Sequence, residues 1–472
     1  MRPRQALACS SIAALVLAAC GGNSPSAPAP AASPSAAPPV RPNLVVVLTD
    51  DLDVPTYKEM PRLRDTLVRQ GLSFDRAYVT QPLCAPSRAA ILTGQYSHSH
   101  GVTGNHPPNG GWPAFRQYEQ ATIAVWLKAV GYRTSLVGKY LNDYPKNASN
   151  TYIPPGWDDW YAHLSAIEDG RYFNYWVNDN GKVSRFGAQQ EDYSVDRDTA
   201  RAVQFIRDSA GRSEPLFLYV APEVPHDPAD YVNRHASEFH DAQAPRVPSF
   251  NESDVSQKPT FVRKLPNLTP ADIDSLDRYQ RKRLRAMSAV EDMVNRILAA
   301  LGETGRLGDT YFFFSSDNGL LMGQHRVIGT KSNAYEECIN VPLVVRGPDV
   351  PVATLHEPVL NIDLPATLLD LAGAAIPDSV EGRSLAPFLR GTPPSSWRTD
   401  LPIENYGVGL SAALRTPDWL YNHVDTQEYE LYDMHADPYQ LHNLHRRADP
   451  ALQDALEQRM RALIACHGVA CR

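Results

Sequence analysis

Outside its first segment the 472-residue chain has no apolar run approaching the ~20 residues needed to cross a bilayer, so no later helix is expected to span a membrane. Cysteine is scarce at 6 residues, which excludes a disulfide-built scaffold and leaves a hydrophobic core to hold the fold. Positive charge is not in excess: 45 Lys and Arg stand against 53 Asp and Glu, a net −8 that gives no support to nucleic-acid binding. No internal repeat is visible, which removes solenoid architectures. What is present, 43% hydrophobic and 21% charged residues, is ordinary globular composition, and the length favours one large domain with a smaller one.

The first nineteen positions (1–19) read as an export signal. Arg2 and Arg4 open it, 12–17 are apolar, and Leu17-Ala18-Ala19-Cys20 closes it with small residues. That ending resembles the bacterial lipobox, which implies a lipidated N-terminus at Cys20; an ordinary secretory peptide ending near a cysteine is the alternative. Residues 20–42 are almost wholly Gly, Ser, Ala and Pro and form an extended tether unable to bury apolar area. The expected location is the bacterial periplasm or cell surface, with the membrane met only through acyl chains. Near the other end, Cys466 and Cys471 are close enough in sequence to pair in an oxidising compartment. A metal site with His467 is the rival, though no fourth ligand is evident; Cys338 is expected as an unpaired, buried thiol.

A Val-rich run at 43–48 reads as a strand buried on both faces. After it come a helix at 61–70, an extended stretch at 72–79, a helix at 121–130, a strand at 132–137, a helix at 195–208 and a strand at 216–220. A long helix at 271–301, strands at 310–315 and 342–345 and a helix at 364–371 continue the alternation. This order predicts an α/β domain over 43–385, with a mostly parallel central sheet flanked by helices. Residues 386–472 form a smaller unit, with short strands at 419–421 and 430–433 and a closing helix opened by Asp449-Pro450. In such sheets ligands gather at the carboxyl ends of strands. Asp50-Asp51, Lys139, His226 and Asp317-Asn318 each follow a predicted strand, so acids and cations are expected at one rim.

Cys84-Ala85-Pro86-Ser87-Arg88-Ala89-Ala90-Ile91-Leu92-Thr93-Gly94 carries the most specific signal. Its Cys-x-Pro-x-Arg core and the Leu-Thr-Gly that follows resemble the signature of type I sulfatases. Further landmarks in family order are Leu48-Thr49-Asp50-Asp51, Gly138-Lys139, Pro225-His226, Ser316-Asp317-Asn318-Gly319, Lys331 and Leu431-Tyr432-Asp433. The resemblance implies an alkaline-phosphatase-like catalytic domain and a small C-terminal antiparallel sheet packed with one helix. It also implies a hydrolase of sulfate monoesters, and a maturation enzyme that oxidises Cys84 to formylglycine, whose hydrate attacks sulfur.

Three carboxylates and one amide, Asp50, Asp51, Asp317 and Asn318, offer only hard oxygen donors, which suit Ca²⁺ or Mg²⁺. Taken alone, Asp50-Asp51 fits a turn or helix cap equally well. The resemblance makes these four residues and modified Cys84 the ligands of one cation, usually Ca²⁺. It places Arg88, Lys139 and Lys331 around the sulfate, His226 with Lys331 at the leaving oxygen, and Asp317 as activator of the attacking hydroxyl. A lone histidine after a strand is also commonly structural.

The chain departs from many arylsulfatases at Gly138-Lys139-Tyr140-Leu141-Asn142, where a histidine that helps break down the sulfated intermediate is replaced by Leu141. His325 is the candidate substitute, with a substrate contact or supporting role as alternatives. The same segment, together with Phe250-Asn251-Glu252-Ser253-Asp254-Val255 and Gly94-Gln95-Tyr96-Ser97-His98-Ser99-His100, resembles the N-acetylglucosamine-6-sulfatase branch, which implies a sulfated carbohydrate such as a glycosaminoglycan; scaffold shared across the branch is the alternative. Aromatics at 157–160 and 172–175 are candidate sugar platforms or core. Two rival functions remain: a phosphatase or phosphonate monoester hydrolase on the same scaffold, and a catalytically silent glycan-binding lipoprotein.

Overall fold

The computed structural model describes residues 41–472 apart from 168, 407–410 and 425–426; the signal segment, Cys20 and nearly all of the tether lie outside the described residues. Asn43–Thr49 is buried along its whole length. It sits near the middle of a ten-stranded sheet, hydrogen-bonded in parallel to Leu216–Ala221 on one side and Thr310–Ser316 on the other. Arg133–Gly138 and Asp159–His163 extend the parallel centre beyond Leu216–Ala221. The remaining strands make the sheet mixed: Trp176–Asp179 and Lys182–Arg185 close one edge antiparallel, while Leu343–Arg346 and Leu72–Phe74 run antiparallel beyond Thr310–Ser316 and Ala353–Leu355 forms the outer edge.

Alternate residues of the central strand serve two cores, because strand side chains point to opposite faces. Leu44, Val46 and Leu48 pack with the helices Cys84–Thr93, Ile123–Ala129 and Asp363–Leu371. Val45 and Val47 pack with Ser194–Arg207 and the 34-residue helix Pro270–Glu303. That long helix begins in a capping box, Thr269 with Asp272, and carries Pro270 where a missing N–H costs nothing. The expectation at 72–79 is corrected: Leu72–Phe74 and Ala77–Tyr78 are separate strands in different sheets.

The C-terminal unit is a four-stranded antiparallel meander, Leu401–Asn405, Ser411–Arg415, Trp419–Val424 and Glu428–Asp433. Leu414, Tyr421 and Leu431 meet Leu456 and Met460 of the closing helix Pro450–Ile464. Leu401, Ile403, Leu420 and Tyr432 instead pack with Tyr78, Ala90 and Leu360, so this sheet joins the large domain through a shared core. Cys338 is a buried free thiol, and Cys466 is disulfide-bonded to Cys471, which leaves neither sulfur for a metal. Trp157, Trp160, Tyr172 and Tyr175 are buried, so these four rings serve mainly as core. Among the described residues no helix is long and apolar enough to cross a membrane.

Candidate active site

Strand register brings the two acid pairs together. Thr49 lies opposite Ser316, so Asp50-Asp51 and Asp317-Asn318 leave neighbouring parallel strands side by side. The Asp317 N–H donates to Thr49 O at 3.1 Å, and the Asp51 N–H donates to Asp317 Oδ1 at 3.2 Å. Asp51 is left-handed at φ 66°, a conformation costly for a residue with a Cβ. It is held by Arg283, which donates to Asp51 O at 2.6 Å while paired with Asp53 at 2.6 Å.

Cys84 is the first residue of the Cys84–Thr93 helix. Pro86 stands in its first turn, where backbone N–H groups lack helical partners in any case. Four residues on, Arg88 lies on the same helical face as Cys84. Both are fully buried. Arg88 Nε donates to Asp317 Oδ2 at 2.8 Å and its terminal nitrogens donate to Asp50 Oδ2 at 3.1 Å and Lys139 O at 3.2 Å.

Lys139 follows Gly138, whose φ is 101° and where a Cβ would stand 2.4 Å from Ala221 O. Only glycine lets the strand end this close to its neighbour. The Lys139 ammonium then reaches Asp50 Oδ2 at 2.5 Å. Lys331 comes from a loop tied to the start of the Cys84 helix by Ser332 N–H donating to Pro82 O at 2.9 Å. Its Nζ bonds Asp51 Oδ1 and lies 2.8 Å from Cys84 Sγ. His226 is less buried; its Nδ1 donates to Asp227 O at 2.9 Å, and Nε2 lies 3.7 Å from Asp51 Oδ2.

These charges set one another's protonation. Burial alone would raise Asp50, but Lys139 and Arg88 hold it well below the ordinary carboxylate range. Asp317 moves the other way, raised by burial and by the Asp50 charge. Burial, with Asp50 adding to it, pushes the Cys84 thiol up to about 12.

Asn318 Nδ2 donates to Asp51 Oδ1 at 2.6 Å and to Gly319 O at 2.9 Å, which leaves its Oδ1 buried with no hydrogen-bond partner. An orphaned amide oxygen beside three buried carboxylates fits a hard divalent cation. Asp50, Asp51, Cys84 and His226 also present donor atoms within 4.8 Å of one another.

One sequence candidate stands outside this cluster, and Leu141, which replaces the family histidine, is buried in the core. His325 is fully buried, bonded through Nδ1 to Glu252 Oε2 at 2.6 Å and stacked on Tyr335 at 4.1 Å, with none of the clustered residues among its hydrogen-bond partners. Conversely, Arg283, which holds Asp51, belongs to none of the sequence motifs. It stands on the buried face of the long helix among Leu276, Gln280, Leu284 and Met287, where a charge in a mostly apolar pattern is the one signal the sequence offers.

Buried acids facing fixed cations at the carboxyl rim of this sheet define an alkaline-phosphatase-like hydrolase of anionic monoesters. The sulfatase family domain matches residues 42–374, and the N-sulphoglucosamine sulphohydrolase C-terminal domain matches residues 323–465. N-acetylglucosamine-6-sulfatase from Homo sapiens is 33% identical over 482 residues, spanning 92% of this chain and 86% of that protein. A solved structure of a protein with its substrate D-glucosamine-2-N,6-O-disulfate superposes with a TM-score of 0.75 at 25% identity, over 89% of this chain and 97% of that one. The phosphonate monoester hydrolase of Silicibacter pomeroyi shares the fold at a TM-score of 0.72 and 23% identity, over 90% of this chain and 94% of that one. The chain belongs to the type I sulfatase family, in its N-acetylglucosamine-6-sulfatase branch, and is a sulfuric ester hydrolase.

Proposed function

We propose that the enzyme removes sulfate from an N-acetylglucosamine-6-sulfate-like sugar, using formylglycine made from Cys84 and one divalent cation, Ca²⁺ before Mg²⁺. Asp50, Asp51, Asp317, Asn318 and the oxygens of residue 84 would hold the cation. One observation carries the reading: charge converges on a single side chain. Lys331 Nζ is 2.8 Å from Cys84 Sγ, and Asp50 Oδ1, on a carboxylate gripped by Arg88 and Lys139, is 3.6 Å from the same sulfur. The names of the relatives support the sugar.

When present, the cation offsets charge on the sulfate oxygens and hydrated formylglycine supplies the attacking oxygen. A thiol pushed up to about 12 stays protonated at neutral pH, so Cys84 as encoded is a poor nucleophile, which favours its conversion. Because Cys84 has no exposed surface, the maturation enzyme has to act before folding is complete. Arg88, bound by Asp50 and Asp317, acts as a preorganised charge that needs no rearrangement during reaction. Lys139 and Lys331 complete the clamp. His226, with Nδ1 committed to Asp227 O and Nε2 turned to the cluster 3.7 Å from Asp51 Oδ2, passes a proton from Nε2, as the imidazolium, to the leaving alcohol beside Lys331. Asp317 accepts the proton of the attacking hydroxyl at Oδ1, the oxygen not bound to Arg88. Since neither Leu141 nor His325 bonds to this cluster, proton traffic is assigned to His226, Lys331 and Asp317. The export signal and Cys20 complete the reading as a lipid-anchored enzyme of the bacterial periplasm or cell surface.

The test is the mass of the peptide spanning Cys84 from the native host, expected to lose sulfur and gain an aldehyde oxygen. Cys84→Ala should lower sulfate-ester turnover at least ~1,000-fold with an unchanged circular dichroism spectrum. An unmodified thiol in active enzyme, or retained turnover in the variant, overturns the mechanism. A phosphate or phosphonate ester cleaved faster than the matched sulfate ester overturns the substrate assignment.

A further inference from the structure

A buried relay leads from the core to the edge of the site. His163 is 3% exposed on the Asp159–His163 strand, with Nε2 3.0 Å from Asp198 Oδ1 and Nδ1 3.1 Å from Glu223 Oε1. Both partners are carboxylates, which raises the imidazole to about 10 despite burial, so the ring is a cation donating from both nitrogens. Glu223 Oε2 then accepts from Arg171 NH1. Arg171 is the first member of the chain to emerge, with 36% of its side chain exposed.

Arg171 emerges beside the chemistry. It lines a cavity of about 380 Å³ together with Lys139, Lys146, His163, Trp176 and Glu223. Lys139, whose ammonium grips Asp50, is the residue that this cavity shares with the cluster around Cys84. After Glu223, the charge of Asp50 is the next stabiliser of the Arg171 cation. A guanidinium presents two edges that can each bind an oxyanion through paired N–H groups. With NH1 committed to Glu223, the Nε–NH2 edge makes no hydrogen bond among the described residues. Trp176 adds an aromatic surface of the kind on which a sugar ring stacks.

We propose that Arg171, oriented by Asp198, His163 and Glu223, is a specificity-determining residue that binds a second oxyanion on the sugar whose scissile sulfate sits at residue 84. This rests on the sulfatase reading above and names its substrate class: a sulfated sugar carrying another sulfate or a carboxylate. The relay is buried so that a half-exposed guanidinium keeps one orientation, which a pair on the open surface would not secure.

The experiment compares kcat/KM for the wild type, Arg171→Gln and Arg171→Lys on three 6-sulfated glucosamines: the N-acetyl form, the N-sulfo form, and an N-acetyl form linked to a uronic acid. The wild type is expected to prefer a dianionic substrate over the monoanionic one by about 10- to 100-fold, the worth of one charge-assisted hydrogen-bonded pair. Arg171→Gln should reduce that ratio to near one, and Arg171→Lys, which keeps the charge without the fork, should fall between. Preference for the N-sulfo sugar assigns the oxyanion to sulfate, and preference for the uronate-linked sugar assigns it to carboxylate. No wild-type preference, or one that survives in Arg171→Gln, overturns the inference while leaving the sulfatase reading intact. A wild type that cleaves no sulfate ester overturns both.

Discussion

At the scale of single residues, protonation in this molecule is decided by what surrounds a group more than by what the group is. Asp50 and Asp317 are chemically identical and both buried, yet one is held low by Lys139 and Arg88 and the other raised by burial and by Asp50. Glu337 is a cleaner case. Its Oε2 is buried with no partner and its Oε1 accepts only a 3.3 Å bond from Ser249, so burial raises it to about 7. A carboxyl raised in the folded state binds more protons there than in the unfolded chain between about pH 4.5 and 7, so stability falls as pH rises through that window. The melting temperature is expected to drop between pH 5 and pH 8, and Glu337→Gln should flatten that profile by removing a penalty of up to about 3 kcal/mol. A profile as steep in the variant as in the wild type would show that the pH dependence lies elsewhere. Legibility at this scale followed chemistry. Cys84, Arg88, Lys139 and the acid pairs sat in motifs with physical reasons for their spacing. Arg171 and Glu223 did not, because an exposed arginine and a lone glutamate look in sequence like any solvated pair.

At the scale of elements, the Cys84–Thr93 helix is the part on which the site depends. All ten of its residues are buried, so its placement leaves no room for adjustment. It ends at Gly94, φ 72°, where a Cβ would stand 2.8 Å from Val380 Cγ1. Gly94→Ala therefore combines left-handed strain with a clash and is expected to destabilise the fold by ~1–3 kcal/mol, read by urea denaturation. Turnover per folded molecule should fall too, since the helix carries both Cys84 and Arg88. The central strands were readable as Val- and Phe-rich runs because both sheet faces are covered. Asp159–His163 was not, since its polar Asp159 and His163 are buried through ion pairs that only the fold supplies. Leu401–Asn405 and Ser411–Arg415 were also missed: a meander beside a large domain draws its apolar partners from distant sequence.

At the scale of the whole molecule, the last residues are tied to His98, Ser99 and Glu381, far away in sequence. His98 Nε2 bonds Cys466 O at 2.8 Å, His467 Nδ1 meets Ser99 Oγ at 2.9 Å, and Glu381 accepts from both Ser99 Oγ and the Gly468 N–H. The Cys466–Cys471 disulfide closes the turn that makes these contacts. Replacing both cysteines by serine is expected to cost about 2 kcal/mol, the loop-closure entropy of so short a ring. Hydrogen exchange should rise at 97–100 and 466–472 while turnover persists; loss of turnover would mean that these ties reach the site.

The sequence by itself determined the family, the α/β alternation and the candidate site residues, because each is written in local spacing that any chain with those residues must carry. Only the tertiary structure decided which charges meet. The register of Asn43–Thr49 against Thr310–Ser316 set Asp50 beside Asp317 across 267 residues of chain, and the loop to Lys331 brought a third cation onto Cys84. Sequence separation carries no information about such encounters. Coulomb forces in a buried site fall with distance through space, and distance through space is what the folded sheet sets.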